Sequence, residues 1–383
     1  MKVVFTFSER ALTVCRTLPP YLPSSRTSKF GLLSLLSIIA LAIGCGSKPA
    51  PSAASPTGSA DAPTSANGFG VLVMAHGGEP EWNQAVLDTV DGLKKKYPIE
   101  VAFGMADATT IQEGVKKLEA RNVRKIGVVR LFISGESWYS ETEQILGLKA
   151  GAPDAASADP HAGHHGAHGA PASSTTTPAN PHAHHGAPPG DPHAAHGGAQ
   201  GNPHGGHGGH QMAFFRIATN ASFAMSKEGL ADADGMGAVL ADRAAELSKD
   251  PAREDVLILA HGPGDDQENA RWLAKLDARA GAVRSRLPLR RVQVETLRED
   301  WPDKRVDAEK RIRAFAERAI AEGGKAIVIP YRVQGFGPYA KVLEGIDYKS
   351  SGKGLIPHAE VFNWIERQVK ELEAGEFRAP VAK

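Results

Sequence analysis

The 383-residue chain is short of the features that would bind it covalently or electrostatically to itself or to large polyanions. It has two cysteines, Cys15 and Cys45, too few for a disulfide framework. Its formal net charge is +1, which excludes the basic field that nucleic acid or an anionic membrane surface demands. Aromatic residues make up 6%, and no RNA-binding strand with interleaved aromatics or basic DNA-reading helix can be found. Long apolar runs are missing too. The longest candidate, about fourteen residues between Phe30 and Ile43, falls short of the roughly 20 that a membrane-spanning helix needs.

What that run does have is a context. Arg26 and Lys29 precede it, and Ala42, Ile43 and Gly44 lead into Cys45. A charged stretch followed by an apolar one and then small residues is the layout of an export signal. The end resembles a bacterial lipobox, which implies that Cys45 is the lipidated first residue of the mature chain. An ordinary cleaved signal is the alternative. On the lipoprotein reading Cys15 is discarded, Cys45 is acylated, and no disulfide forms although the compartment permits one. Residues 46–68 are a Ser/Ala/Pro/Thr tether with nothing to bury. The expected location is the cell envelope, with the chain lipid-anchored on the periplasmic or outer face of a bacterial membrane.

From Phe69 onward the pattern is regular. A buried-type strand ends in His76-Gly77-Gly78. A helix with Trp82, Val86, Val90 and Leu93 at helical spacing follows, and strand and helix then alternate. Residues 214–222 read as a further strand, and 235–250 as a helix. The pattern restarts at Glu254 with a strand ending in His261-Gly262. It closes with a short strand over 354–358 and a helix from Ala359. Alternation of this kind predicts an α/β fold: two similar flavodoxin-like lobes, each a parallel sheet with helices on both faces, and a cleft between them. The expected domains are a signal segment over 1–45, the tether, a first lobe over 69–250 interrupted by an insertion over 151–211, and a second lobe over 251–376.

The insertion is rich in His, Gly, Ala and Pro, with too few large apolar residues to fold. Twelve of the fifteen histidines lie in it: His161, His164, His165, His168, His182, His184, His185, His193, His196, His204, His207 and His210. Dispersed imidazoles form adaptable sites for Cu, Ni, Zn or Co, and such binding fades below about pH 6.5 as the rings protonate. An inert hydrophilic spacer is the plainer reading.

The most specific local signal is the echo of Val71–Gly78 in Val256–Pro263. Each places a histidine and a glycine at the carboxyl end of a first strand, with Asn83 or Asn269 near the start of the next helix. Ligands of open α/β sheets bind at that edge. A structural histidine, copied by duplication, is the competing account. These features, the third strands with their glycine loops (residues 128–135 and 327–337) and the terminal segment 354–369 resemble the sirohydrochlorin cobalto-/ferrochelatase family of CbiX/SirB type. The resemblance covers about residues 70–149 and 213–373. It implies two lobes around a tetrapyrrole, His76 and His261 as metal ligands and catalytic residues, and a divalent metal (Co, Ni, Fe or Zn) as substrate or bound ion, with no organic cofactor evident.

The chain departs from that family in two ways. The family's second histidine, in the loop after the third strand, is absent: Trp138 stands about where it would fall in the first lobe, and the second lobe lacks it too. The arginine that usually follows the His-Gly motif is also missing. Glu136, on the loop that lost its histidine, is the candidate base or ligand, against a solvated helix start as the bland alternative. Trp138, Phe336 and Tyr339 are candidates for stacking on the ring, or simply for capping the cleft. His358 reads as a helix cap. The expected function is a class II metal chelatase, acting as a monomer with internal pseudo-symmetry. Its partners are a tetrapyrrole and metal ions, with no nucleic acid, and membrane contact is through the anchor only. The rival readings are a non-enzymatic metal or tetrapyrrole carrier of the envelope reusing this fold, and a purely structural lipoprotein.

Overall fold

The computed structural model describes residues 68–155 and 212–382. Cys45, the tether apart from Gly68, and all twelve clustered histidines lie outside the described residues. The first half comprises β1 (Phe69–Ala75), α1 (Pro80–Lys94), β2 (Ile99–Phe103), α2 (Ala108–Ala120), β3 (Lys125–Leu131), α3 (Tyr139–Ile145), β4 (Ser222–Met225) and α4 (Gly235–Leu247). The second half comprises β5 (Glu254–Ala260), α5 (Asp266–Arg286), β6 (Arg291–Thr296), α6 (Pro302–Ala321), β7 (Lys325–Pro330), α7 (Tyr339–Val342), β8 (Tyr348–Lys349) and α8 (Ala359–Glu373).

Each half forms a four-stranded, all-parallel sheet, in the orders β2-β1-β3-β4 and β6-β5-β7-β8. The expected two-lobe α/β fold is therefore present. β1 and β5 are inner strands, as are β3 and β7, and every residue of β1 and β5 is buried, as strands covered on both faces must be. Local chemistry sets the helix starts. Pro80 and Pro302 occupy first turns, where the missing N–H costs nothing. The Asp107 carboxylate accepts from the N–H groups of Thr109 and Thr110 at 2.9 and 3.0 Å to open α2. His358 caps α8 as its position suggests: its Nδ1 accepts from the Glu360 N–H at 3.1 Å.

The last helix of each half covers the sheet of the other. α4 lies on α5 and β7, while α8 lies on β3 and α1. Small residues permit the close crossings. A Cβ on Gly237 of α4 would sit 3.1 Å from the Ala282 Cβ on α5, and one on Gly92 of α1 would sit 3.0 Å from the Phe362 ring on α8. Polar clasps mark the exchange as well. Lys96 pairs with Glu366 at 2.7 Å, Tyr97 donates to Glu373 at 3.0 Å, and His358 meets Asp242 of α4 at 2.9 Å. Beyond α8 the chain returns to the first sheet, where Arg378 forms an antiparallel bridge with Phe223 of β4. In consequence one apolar cluster runs through β1, α1, α4, α8, α5 and β5. Two further clusters fill the outer layers, one under α2 and one under α6. The packing thus joins the two halves across residue 250.

Two expected strands are not strands. Residues 214–221 run extended across the outer layer of the first sheet, and only Arg216 forms a bridge, with Asp154. The neighbouring hydrogen-bonding groups are taken elsewhere: Ala213 N–H by Asp107, Ala218 by the Gln112 amide, and Ile217 N–H by the Ile145 carbonyl at the end of α3. The edge strand starts only at Ser222. Residues 354–357 likewise form a loop, containing a cis Ile356–Pro357 bond, and the edge strand of the second sheet is Tyr348–Lys349. Among the described residues no helix is long and apolar enough to cross a membrane.

The exchange has an energetic consequence. α8 buries Val361, Trp364, Ile365, Val369 and Leu372, worth about 1.5–3 kcal/mol each as an upper estimate. Their sum, about 8–15 kcal/mol, matches the whole stability of a typical domain. A fragment of residues 68–250 should therefore show no cooperative urea transition by circular dichroism, and co-expression with 251–382 should restore one. A cooperative transition in the isolated fragment would contradict the packing.

Candidate functional site

Both central strands end in a histidine followed by a glycine in the left-handed region, Gly77 at φ +80° and Gly262 at φ +78°. A side chain is strained there, so glycine is required. The turn folds the glycine carbonyl back onto the imidazole. Nδ1 of His76 lies 2.7 Å from the Gly77 oxygen, and Nδ1 of His261 lies 2.7 Å from the Gly262 oxygen. A carbonyl only accepts, so Nδ1 carries the proton in both rings, and the neutral form has its lone pair on Nε2. The two asparagines brace the turns. Asn83 accepts from Gly78 N–H at 3.0 Å and donates to Gly78 O at 3.1 Å, whereas Asn269 accepts from the Thr296 hydroxyl at 2.8 Å.

Here the duplicated halves diverge. After β6 the backbone passes through Arg298 at φ +58° and delivers Glu299 and Asp300 to His261. Asp300 Oδ2 is 2.9 Å from His261 Nε2, and Glu299 Oε2 is 4.0 Å from it. Arg332, just past β7, holds Glu299 from the far side in a close ion pair. Met105 takes the equivalent left-handed position in the first half, at φ +62°, but the acid there is used differently. Asp107 caps α2 and holds the N–H of Ala213 at 2.9 Å.

His261 therefore has an acceptor at each ring nitrogen, an arrangement that suits the imidazolium. Burial draws its pKa down, but the hydrogen bond to Asp300 and the charges of Glu299 and Asp300 outweigh burial and leave it above the usual histidine value. Asp300 is held below the usual carboxylate range, first by the His261 hydrogen bond and also by the charges of His76 and Arg332. The influence of His76 brings the two strand-end histidines, one from each lobe, into electrostatic reach of one carboxylate. Among the described residues no group of three or more His, Cys, Asp or Glu side chains is spaced to enclose a metal ion.

The other expected residues lie elsewhere. Glu136 sits on a loop that buried Arg130 fixes by donating to the carbonyls of Gly135 and Ser226 at 2.9 and 3.1 Å and to that of Ser137. Burial lowers the Arg130 pKa to about 10, still well above neutral pH. Glu136 itself spans the lobes to α5, 2.7 Å from Arg271 and 4.0 Å from Lys275. The Arg271 hydrogen bond and charge hold its carboxyl low, which makes it a poor proton acceptor and a good strut. Tyr339 is fully buried in the outer core of the second lobe and cannot stack on a ligand. Phe336 has a ring face covered by Tyr348, at 5.8 Å and 11°. Trp138 opens α3 at φ +58° and rests on the outer core of the first lobe.

Different aromatic residues flank the histidines. Trp82 lies 6.3 Å from the His76 ring and Trp301 lies 6.0 Å from the His261 ring. Sequence reasoning missed Glu299, Asp300 and Arg332 as site residues. The carboxyl end of β6 lies on the same sheet edge as that of β5, and the acidic pair following it was the available signal.

The two parallel sheets with paired strand-end histidines define a duplicated α/β protein. Residues 70–154, in the first lobe, match the CbiX family model. No curated protein matches. Among solved structures, SirB from Bacillus subtilis with Fe3+ is 12% identical, with 79% of this chain and 95% of that one covered at a TM-score of 0.47. The sirohydrochlorin chelatase SirB from Bacillus subtilis subspecies spizizenii in complex with cobalt is 11% identical, covering 81% and 98% at a TM-score of 0.45. DR2241 from Deinococcus radiodurans, a multi-domain protein with structural similarity to chelatases, is 16% identical, covering 79% and 55% at a TM-score of 0.41.

Replacing Glu136 by Gln should lower stability by less than about 1 kcal/mol, since the pair is half exposed. The depressed folded pKa means the deficit is complete above the ordinary glutamate value of 4.5 and disappears as pH falls through the folded value. Urea midpoints of both proteins between pH 3 and 7 check this, and a deficit that grows toward low pH would contradict it.

Proposed function

We propose that the chain binds a tetrapyrrole between its lobes and transfers a divalent metal (Co, Ni or Fe) into it, with the His261–Asp300 pair as the working centre. Insertion exchanges two pyrrole N–H protons for one M2+, so the protein must release a cation and accept protons in the same place. The observation that carries the reading is the position of His261, donating through Nδ1 to Gly262 and facing Asp300 through Nε2. A divalent ion can replace the proton between Nε2 and the carboxylate. As the ion moves to the ring, the imidazole Nε2 is freed to take up one of the two departing protons, and the other passes to solvent. Glu299, mostly buried and held in place by Arg332, is an acceptor beside the exchange. His76 offers a second imidazole from the opposite lobe.

The chain from residue 46 onward, mixed with sirohydrochlorin and Co2+, Ni2+ or Fe2+, should insert metal faster than the spontaneous reaction, as followed by the ring's absorbance. His261→Ala and Asp300→Asn should each reduce the rate by about 10²–10⁴-fold, the usual worth of a general acid–base group. A parent rate equal to the spontaneous one, or unimpaired variants, overturns the proposal.

One observation favours a second reading, a metal store or chaperone without catalysis: the described residues hold no enclosed three-ligand group, while twelve histidines lie in the insertion. On either reading the insertion is proposed to bind metal. Calorimetry with Ni2+ at pH 7.5 should show several sites in the full chain and a clear drop on deletion of residues 156–211. Unchanged stoichiometry removes the insertion from the metal chemistry.

A further inference from the structure

The two tryptophans beside the histidines have no part in the exchange chemistry, yet their placement is repeated in both lobes. Trp82 is tilted 56° to the His76 ring, and its other neighbour is Phe103, edge-on at 6.4 Å. Trp301 stands edge-on to the His261 ring at 89°. Each indole lies over a glycine of the His-Gly loop. A Cβ on Gly78 would be 3.2 Å from Trp82 Cγ, and one on Gly264 would collide with the Trp301 indole. The Gly264 backbone is itself pinned, its carbonyl accepting from Lys304 at 2.8 Å and from Arg298 at 2.5 Å. Neither indole is fully buried.

Duplication does not account for this match. Aligning Asn83 with Asn269 puts Glu268 opposite Trp82, and Trp301 follows β6, where the first half has Asp107 and Ala108. One indole comes from the third residue of α1 and the other from the residue before α6. Two unrelated sequence positions thus bring the same side chain to within about 6 Å of each strand-end imidazole. A core role alone gives no reason for such convergence at half-buried positions. A ligand with an extended aromatic face does, because an indole offers a large, rigid, polarisable surface at little entropic cost.

We infer that Trp82 and Trp301 are the aromatic walls of the ligand site, one per lobe, which bind the π-face of the macrocycle and hold it against the two histidines. This rests on the tetrapyrrole reading above. They replace Trp138, Phe336 and Tyr339, whose surfaces are used within their own lobes.

The test titrates the full chain with metal-free sirohydrochlorin, following the ring's absorbance and the indole emission separately, and titrates it with Co2+ alone. The ring should bind with quenching of tryptophan fluorescence. Trp82→Ala and Trp301→Ala should each weaken ring binding about three- to tenfold, the range for one aromatic contact. Trp→Phe at either position should stay within about threefold, and the double Phe variant should lose most of the quenching while still binding. Co2+ binding should be unchanged in all of them, and circular dichroism should confirm that they fold. If both Ala variants bind the ring as the parent does, the inference is overturned while the tetrapyrrole reading stands. If Co2+ binding falls in parallel with ring binding, the indoles are braces for the histidines and the inference is likewise overturned. If the parent binds no ring, the proposed function fails and takes the inference with it.

Discussion

The continuous apolar cluster that joins Val71 and Val73 of β1 to Val256 and Ile258 of β5 through α4 and α8 sets the terms for everything at the strand ends. A helix that must cover the partner lobe's sheet cannot slide without exposing its own buried face and uncovering that sheet. The two parallel sheets are therefore held as parts of one body, not as tethered neighbours. The His76 and His261 turns inherit their positions from those strands. Polar contacts at the exchange, such as Tyr331 donating to the Leu230 carbonyl at 3.1 Å and His358 meeting Asp242, add direction to what burial secures.

On this frame a duplicated pattern has become an asymmetric site. Both halves keep the strand-end histidine, the left-handed glycine and the Nδ1 hydrogen bond to its carbonyl. The loop after the second strand of each half differs. The second half uses it to set a carboxylate against the imidazole. The first half uses Asp107 to open α2 and to secure Ala213, where the chain returns from the insertion. Asp154 and Arg216 bridge beside it, so both ends of the insertion are fastened to the first lobe. Asp107, at the position of Asp300, is thus committed to opening a helix and holding a segment in place.

The alternation of strand and helix was legible because periodicity reports burial, and the helix Ala359–Glu373 begins and ends where its pattern does. The two histidines were legible because glycine after a strand marks a turn at the sheet edge where ligands bind. What failed did so for physical reasons. Residues 214–221 and 354–357 have strand-like composition, but their hydrogen-bonding groups are taken by side chains and loop carbonyls, which no periodicity reports. Tyr339 and Phe336 look like loop aromatics in sequence, yet Tyr348 and the α6 layer close over them. Glu136 stands near a lost histidine in sequence and reaches instead for Arg271, 135 residues away. Asp300 and Trp301 come to His261 only through the pairing of β5 with β6, a relation in the sheet and not in the chain.

The thin ligand set has a chemical logic of its own. A metal held by three or four protein donors is bound tightly and handed over slowly, as structural sites show. His261 sits with a proton already between it and Asp300, in an environment that favours keeping that proton. The sign follows from the raised pKa: the pair's contribution to stability is complete below the ordinary histidine value of 6.5 and is lost as pH rises through the higher folded value. On the proposed function, a cation that binds between Nε2 and the carboxylate takes the place of that proton. On the same proposal, such a centre would trade metal for protons, which is the exchange that a tetrapyrrole with two N–H groups requires.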